Sequence, residues 1–295
     1  MTRRAPLLAL VGVTAIWGVT FVQVQDAIAV YPLFAFLAVR FAISTVVLAP
    51  FAWRSLRTLP RSGYVAGLGV GALLAAAYGL QTAGLELTTV ASTGFITGLY
   101  VVFTPILALV LFGTPVPRAL WLGVALAVLG LLLLNGAPGG STLGNALVLG
   151  NAVFQAFQIT AMERFAPRYD PRALTFLQML TAFVGFTVIA LVRGELEVPR
   201  GATVWGALLV TGVFAGALGY LIATWVQART TAARAALVFT LEAPFAALAG
   251  VLLADEVLGW PGWAGCAVMM AGLLVAEPAA AAALRRLARR GTPAT

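Results

Sequence analysis

Long apolar runs alternate along the chain with short breaks built from Arg, Pro, Gly and Asn. The runs cover residues 5–24, 33–53, 64–86, 89–112, 118–135, 143–163, 172–192, 203–227, 231–253 and 259–278. A helix crosses the hydrocarbon layer of a bilayer with about 20 residues. The pattern therefore predicts an all-α membrane protein with ten transmembrane helices.

The polar and aromatic punctuation within the runs repeats. A shift of 142 positions lays Tyr78 on Tyr220, Thr82 on Thr224, Thr88-Thr89 on Thr230-Thr231, Leu99 on Leu241 and Phe103 on Phe245. The same shift lays Trp121 on Trp263, Gly123 on Gly265 and Gly130 on Gly272. Earlier in the chain a shift of 138 lays Gly12 on Gly150, Tyr31 on Tyr169, Trp17 on Gln155 and Arg40 on Gln178. The expected organisation is a first five-helix repeat over 1–138 and a second over 139–295, together forming one transport domain. Five is odd, so the second copy enters the membrane from the opposite side. Such inverted repeats are the architecture of many secondary transporters, with the ligand held between the halves.

Composition strengthens the membrane reading. The 295 residues are 61% hydrophobic and 9% charged, against roughly 25% charged in a soluble domain. The net charge of +8 comes from arginine alone, since the chain has no lysine and no histidine. These arginines lie in the gaps between apolar runs and do not form a nucleic-acid-binding face. One set comprises Arg3, Arg4, Arg54, Arg57, Arg61, Arg118, Arg164, Arg168, Arg172, Arg229, Arg234, Arg285, Arg286, Arg289 and Arg290; the other has only Arg193 and Arg200. This bias places both termini in the cytoplasm. Reading Arg3, Arg4 and Ala27-Ile28-Ala29 as a cleaved signal would leave nine spans and scramble the bias. The basic tail after residue 278 reads as an anchor on the cytoplasmic leaflet.

The missing residue types exclude much chemistry. Without lysine there is no Schiff base, and without histidine no serine–histidine dyad and no histidine-bound metal. Cys266 is alone, so no intrachain disulfide forms. Asp26, Asp170 and Asp255 fall at span ends, where an intramembrane aspartyl protease could not use them. No enzyme activity, metal or cofactor is expected.

"AIWGVTFV", Arg40 in the second span, "TTVASTGFITGLYVVFTPILALVLFG" and "GWAGCAVMMAGLLV" resemble the drug/metabolite transporter superfamily, in its EamA-like branch. The resemblance covers nearly the whole chain. It implies a ten-helix transporter, often an exporter of amino acids or other metabolites, in a bacterial cytoplasmic membrane. An acidic residue that often follows the fourth span in the family is Thr114 here, while Glu256 holds the matching place in the second copy.

Arg40 lies about 12 Å inside the second span at 1.5 Å per residue. A charge there costs about 2.5–3.5 kcal/mol to insert. It either counters a substrate carboxylate or binds carbonyls or an acid of another helix; the resemblance favours the second. Glu242, about 16 Å deep, either carries a coupling proton, pairs with Arg40, reads a substrate amine or is simply hydrogen-bonded. Glu86 belongs at the interface. Pro105 and Pro244 predict kinks in the fourth and ninth spans. Gly67/Gly71, Gly94/Gly98 and Gly212/Gly216 let helices approach closely. Trp17, Tyr78, Gln81, Thr97, Tyr100, Gln155, Gln158, Gln178 and Tyr220 are the candidate substrate-binding residues, with helix–helix hydrogen bonding as the alternative role. A pocket of aromatics, amides and one Arg/Glu pair suits an amino acid with a bulky apolar side chain. A lipophilic cation, moved by a multidrug exporter, and a facilitative channel are the rival readings. The expected partners are that small substrate, membrane lipid and a coupling proton, in a monomer or weak dimer.

Overall fold

The computed structural model describes residues 5–136, 139–253 and 257–276. The masked segments hold Arg3, Arg4, Asp255, Glu256, the four arginines of the tail and the tail itself, so the expectations on them lie outside the described residues. Among the described residues all regular structure is helical. The helices are α1 Ala5–Ile28, α2 Leu33–Arg57, α3 Arg61–Leu85, α4 Val90–Gly98, α5 Tyr100–Phe112, α6 Arg118–Asn135, α7 Thr142–Phe165 and α8 Pro171–Arg193. There follow α9 Ala202–Leu209, a π-helix Val210–Gly219, α10 Tyr220–Gln227, α11 Ala232–Phe239, α12 Glu242–Leu253 and α13 Trp260–Ala276. Joining α4 to α5, α9 through the π-helix to α10, and α11 to α12 gives ten rods.

Seven of these rods are long and apolar enough to cross a membrane by length and composition. The rods α1, α7 and α13 complete the ten. The described apolar part of α1 is Leu8–Thr20 and α13 has 17 residues; α7 carries Asn145, Asn151, Gln155, Gln158 and Glu163. Several rods run past the predicted ends, and α2 reaches Arg57, whose guanidinium lies 5.1 Å from the Trp53 ring centre. Such interfacial residues extend a helix beyond the oil itself.

Local chemistry sets the boundaries. Asp170 accepts a hydrogen bond from the Arg172 N–H (2.8 Å), Pro171 opens α8, and Gly194 closes it at φ 67°. Thr89 caps α4 by accepting from Ser92 N–H at 3.1 Å.

Packing obeys the repeat. The closest seam joins α6 to α13. A Cβ on Gly123 would lie 2.8 Å from the Gly272 carbonyl, and one on Gly130 would lie 2.7 Å from the Gly265 carbonyl. Gly123 corresponds to Gly265 and Gly130 to Gly272, so one contact is made twice about a pseudo-two-fold axis. The equivalent helices α2 and α8 form a second such seam. The packing of α3 on α7 has its counterpart in α1 on the rod from α9 to α10, and that of α4 and α5 on α7 in α11 and α12 on α1. Two five-helix repeats of inverted sense thus share one bundle. The small-residue pairs sit at other helix contacts: Gly71 of α3 faces Thr181 of α8, Gly94 of α4 faces Asn135 of α6, and Gly212 of the π-helix faces Ile43 of α2.

Candidate functional site

The fourth and ninth rods are interrupted in matching places. Leu99 N–H donates to Ile96 carbonyl at 3.1 Å, and Leu241 N–H to Val238 carbonyl at 3.0 Å. These are the same tight turn, 142 positions apart. The interruptions do not stand at the expected proline kinks. Pro105 lies inside α5, which remains helical through it. Pro244 is the third residue of α12, where its missing N–H removes little. The half-helices that follow begin at Tyr100 and Glu242, one residue type replacing the other at equivalent positions.

Tyr100 is buried and lies within Coulombic reach of Glu242. Arg40 reaches Glu242 electrostatically as well. The Arg40 side chain packs on aromatic faces, with its guanidinium carbon 5.7 Å from the Phe41 ring centre and 5.8 Å from that of Tyr78. It is only 8% exposed, and its Nε has no hydrogen-bond partner. Among the described residues the ion pairs involve Arg172 and Arg193 alone. Arg40 and Glu242 therefore share one polar cluster without forming a salt bridge. Glu242 itself is half-buried.

Beside these charges, the pseudo-equivalent Tyr78 and Tyr220 meet hydroxyl to hydroxyl at 3.1 Å. Their contact marks the axis between the repeats. Trp17 packs its ring 5.1 Å from Tyr220 and 5.5 Å from Phe239, centre to centre. Its indole N–H donates to the Ala215 carbonyl at 2.9 Å, inside the π-helix. Ser44 donates to the Gly212 carbonyl in the same segment at 2.7 Å. A π-helix leaves carbonyls off the ordinary ladder, and here two side chains of the opposing helices take them.

The amides divide into two groups. Gln81 Nε2 and Asn151 Nδ2 donate to the Thr97 hydroxyl at 3.2 and 2.9 Å. Gln158 donates to Gln178 at 2.9 Å, joining α7 to α8 away from solvent. Gln155 is half-buried and makes no side-chain hydrogen bond among the described residues. The structure thus gathers Arg40, Glu242, Trp17, Tyr78, Tyr100 and Tyr220 into one cluster. It uses Gln158 and Gln178 on each other, and groups Gln81 with Thr97.

Phe239, Phe41, Asn151 and Glu163 escaped the sequence reading. Phe239 had a signal, because the repeat lays it on the candidate Thr97. Glu163 sits at the end of α7, where its Oε2 accepts from the Ala232 N–H at 2.8 Å and its Oε1 lies 3.5 Å from the Thr114 hydroxyl. A cavity of about 140 Å³ beside it is lined by Thr114, Glu163, Thr231 and Arg234. Glu86 is exposed and lies 3.5 Å from Arg193, which also pairs with Glu195. Nearby, Tyr31 donates to the Glu197 carbonyl at 2.6 Å, and burial with the Glu197 charge pushes its hydroxyl above the usual range.

A family model, the EamA-like transporter family, matches this chain twice, over residues 4–136 and 142–276. The chain belongs to the EamA-like transporter family. A protein of Archaeoglobus fulgidus described as an uncharacterized transporter is 32% identical over 254 residues, covering 85% of this chain and 79% of that protein. A solved crystal structure shares the fold with a TM-score of 0.78 at 20% identity, covering 97% of this chain and 99% of the other. This EamA-like transporter is therefore a multi-pass membrane protein whose two family matches correspond to the two halves of its bundle.

Proposed function

We propose that this EamA-like transporter carries small amphiphilic zwitterions, amino acids with bulky apolar side chains foremost, by alternating access between its halves. One observation carries the reading. A buried guanidinium and a half-buried carboxylate share a cluster yet form no salt bridge with each other, beside a surface of aromatic rings. An unpaired buried charge is costly. A ligand with its own carboxylate and ammonium relieves both charges, and its apolar part takes the rings. A phosphate ester would call for clustered cations, and Arg40 stands alone at this depth among the described residues.

The arginine bias supports an orientation with both termini in the cytoplasm. Arg54, Arg57, Arg61, Arg118, Arg164, Arg168, Arg172, Arg229 and Arg234 flank the connections of one face, and Arg193 and Arg200 those of the other. Glu242 is the carboxylate placed to carry a coupling proton.

The test is counterflow in proteoliposomes with labelled phenylalanine, leucine, tetraphenylphosphonium and mannitol. Saturable exchange of the two amino acids, weakened about 10- to 100-fold in apparent affinity by Arg40→Gln, is the expected result, since a hydrogen bond to a charged group contributes about 1.5–3 kcal/mol. Exchange of the cation alone would transfer the site to lipophilic cations, and unsaturable flux would mark a channel. Under a pH gradient, Glu242→Gln is expected to abolish the gradient-driven uptake seen with the unmodified protein. Identical responses of the two proteins would remove the proton from the mechanism.

A further inference from the structure

We infer that Phe239 is a specificity-determining residue and that the two repeats hold opposite ends of the substrate, the second repeat taking the side chain. The inference rests on the zwitterion reading above and adds the substrate's orientation to it. The repeat lays Trp17 on Gln155, Tyr220 on Tyr78 and Phe239 on Thr97. The two tyrosines touch at the axis, so the residues beside them can be compared place for place. Around Tyr220, three rings lie within 5.1 and 5.5 Å of one another through Trp17. At the place equivalent to Phe239, the Thr97 hydroxyl instead collects amide donors from Gln81 and Asn151. One backbone framework thus presents an aromatic wall on one side of its axis and a hydrogen-bonding wall on the other.

The aromatic wall is held in place. The Trp17 indole is tied to Ala215, and a Cβ on Gly219 would come within 2.8 Å of its Nε1, so glycine there gives the ring its seat. Phe239 ends α11 directly before the break, three residues ahead of Glu242. An ammonium group at Glu242 therefore brings an α-substituent to Phe239 and Trp17, while the carboxylate faces the unpartnered Arg40. Replacing Phe239 by the threonine of the other repeat removes one ring of the wall and leaves both charges untouched.

Counterflow of labelled phenylalanine and alanine is to be compared in the unmodified protein, Phe239→Thr and Phe239→Leu, with melting temperature recorded for each. Phe239→Thr is expected to raise the half-saturating phenylalanine concentration about tenfold, the scale on which apolar pockets discriminate, and alanine less than twofold. Phe239→Leu keeps the apolar volume and is expected to lower phenylalanine preference relative to leucine; it decides the matter if the threonine variant does not fold. Equal changes for phenylalanine and alanine in folded variants overturn the orientation while leaving the zwitterion reading intact. If the unmodified protein exchanges phenethylamine but no amino acid, and Phe239→Thr weakens that exchange, the zwitterion reading falls and the side-chain assignment stands. Exchange of none of these ligands overturns both.

Discussion

Tyr78 and Tyr220 show how one residue type can serve both copies of a repeat at once. Their hydroxyls meet at 3.1 Å on the axis, so either Tyr→Phe change breaks the same bond. Within membranes such bonds contribute about 0.6 kcal/mol on average and up to about 1.7. Each single variant is expected to lose that much stability, and the double variant no more than either single one; strictly additive losses in thermal melts would show that the hydroxyls do not bond. The pair was legible in the sequence, because tyrosine is uncommon enough for its recurrence to carry information. Arg40 was legible as a deep charge, but its lack of an ion-pair partner among the described residues was not, since no spacing along one chain shows which helix faces another. Gln158 and Gln178 look like pocket residues for the same reason. Both are polar within spans, and only packing shows that they bond to each other.

At the scale of helices, the two broken rods carry matching turns but differently built ends. Thr89 caps α4 from within its own rod, whereas the equivalent Thr231 makes no side-chain cap to α11. Glu163, from α7, takes that place by accepting from Ala232 N–H. The end of α11 is thus fastened to another helix, and moving it away breaks that bond. Losing a cap costs about 1 kcal/mol, a factor of about five in an equilibrium. In a Cys266→Ser background with a reporter Ala233→Cys, Glu163→Ala is expected to raise labelling by a polar thiol reagent about fivefold, and Glu163→Gln, which keeps an acceptor, by less. An unchanged rate with Glu163→Ala would show that the cap holds nothing shut. The sequence put the rod interruptions at Pro105 and Pro244 because proline is the visible breaker. The tight turns at Leu99 and Leu241 use ordinary residues, and only their shared register under the repeat hinted at them. The π-helix had no such hint, being fixed by Trp17 and Ser44 reaching in from distant rods.

Over the whole molecule, the inverted repeat sets the seams and the unlike residues set the chemistry. The α6–α13 seam depends on four glycines that bring backbones into contact. Gly130→Val is expected to cost about 1–3 kcal/mol, the usual range for overpacking, and to lower the melting temperature. Gly12→Ala, with nothing near the added methyl group, is the control and should not lower it, since alanine favours a helix over glycine. Ten rods were legible because apolar length is a direct physical requirement of the bilayer. Their opposed halves were legible because an odd number of spans inverts whatever is repeated. That inversion carries every later step, from the shared axis to the unlike walls on its two sides. Leu87 and Arg229 are equivalent under the repeat and both exposed, which makes them the most direct pair to test. In intact cells, single cysteines at these positions in a Cys266→Ser background are to be treated with a membrane-impermeant maleimide. The cysteine at 87 should label from outside and that at 229 only after the membrane is opened; labelling of both from the same side would contradict the inverted fold.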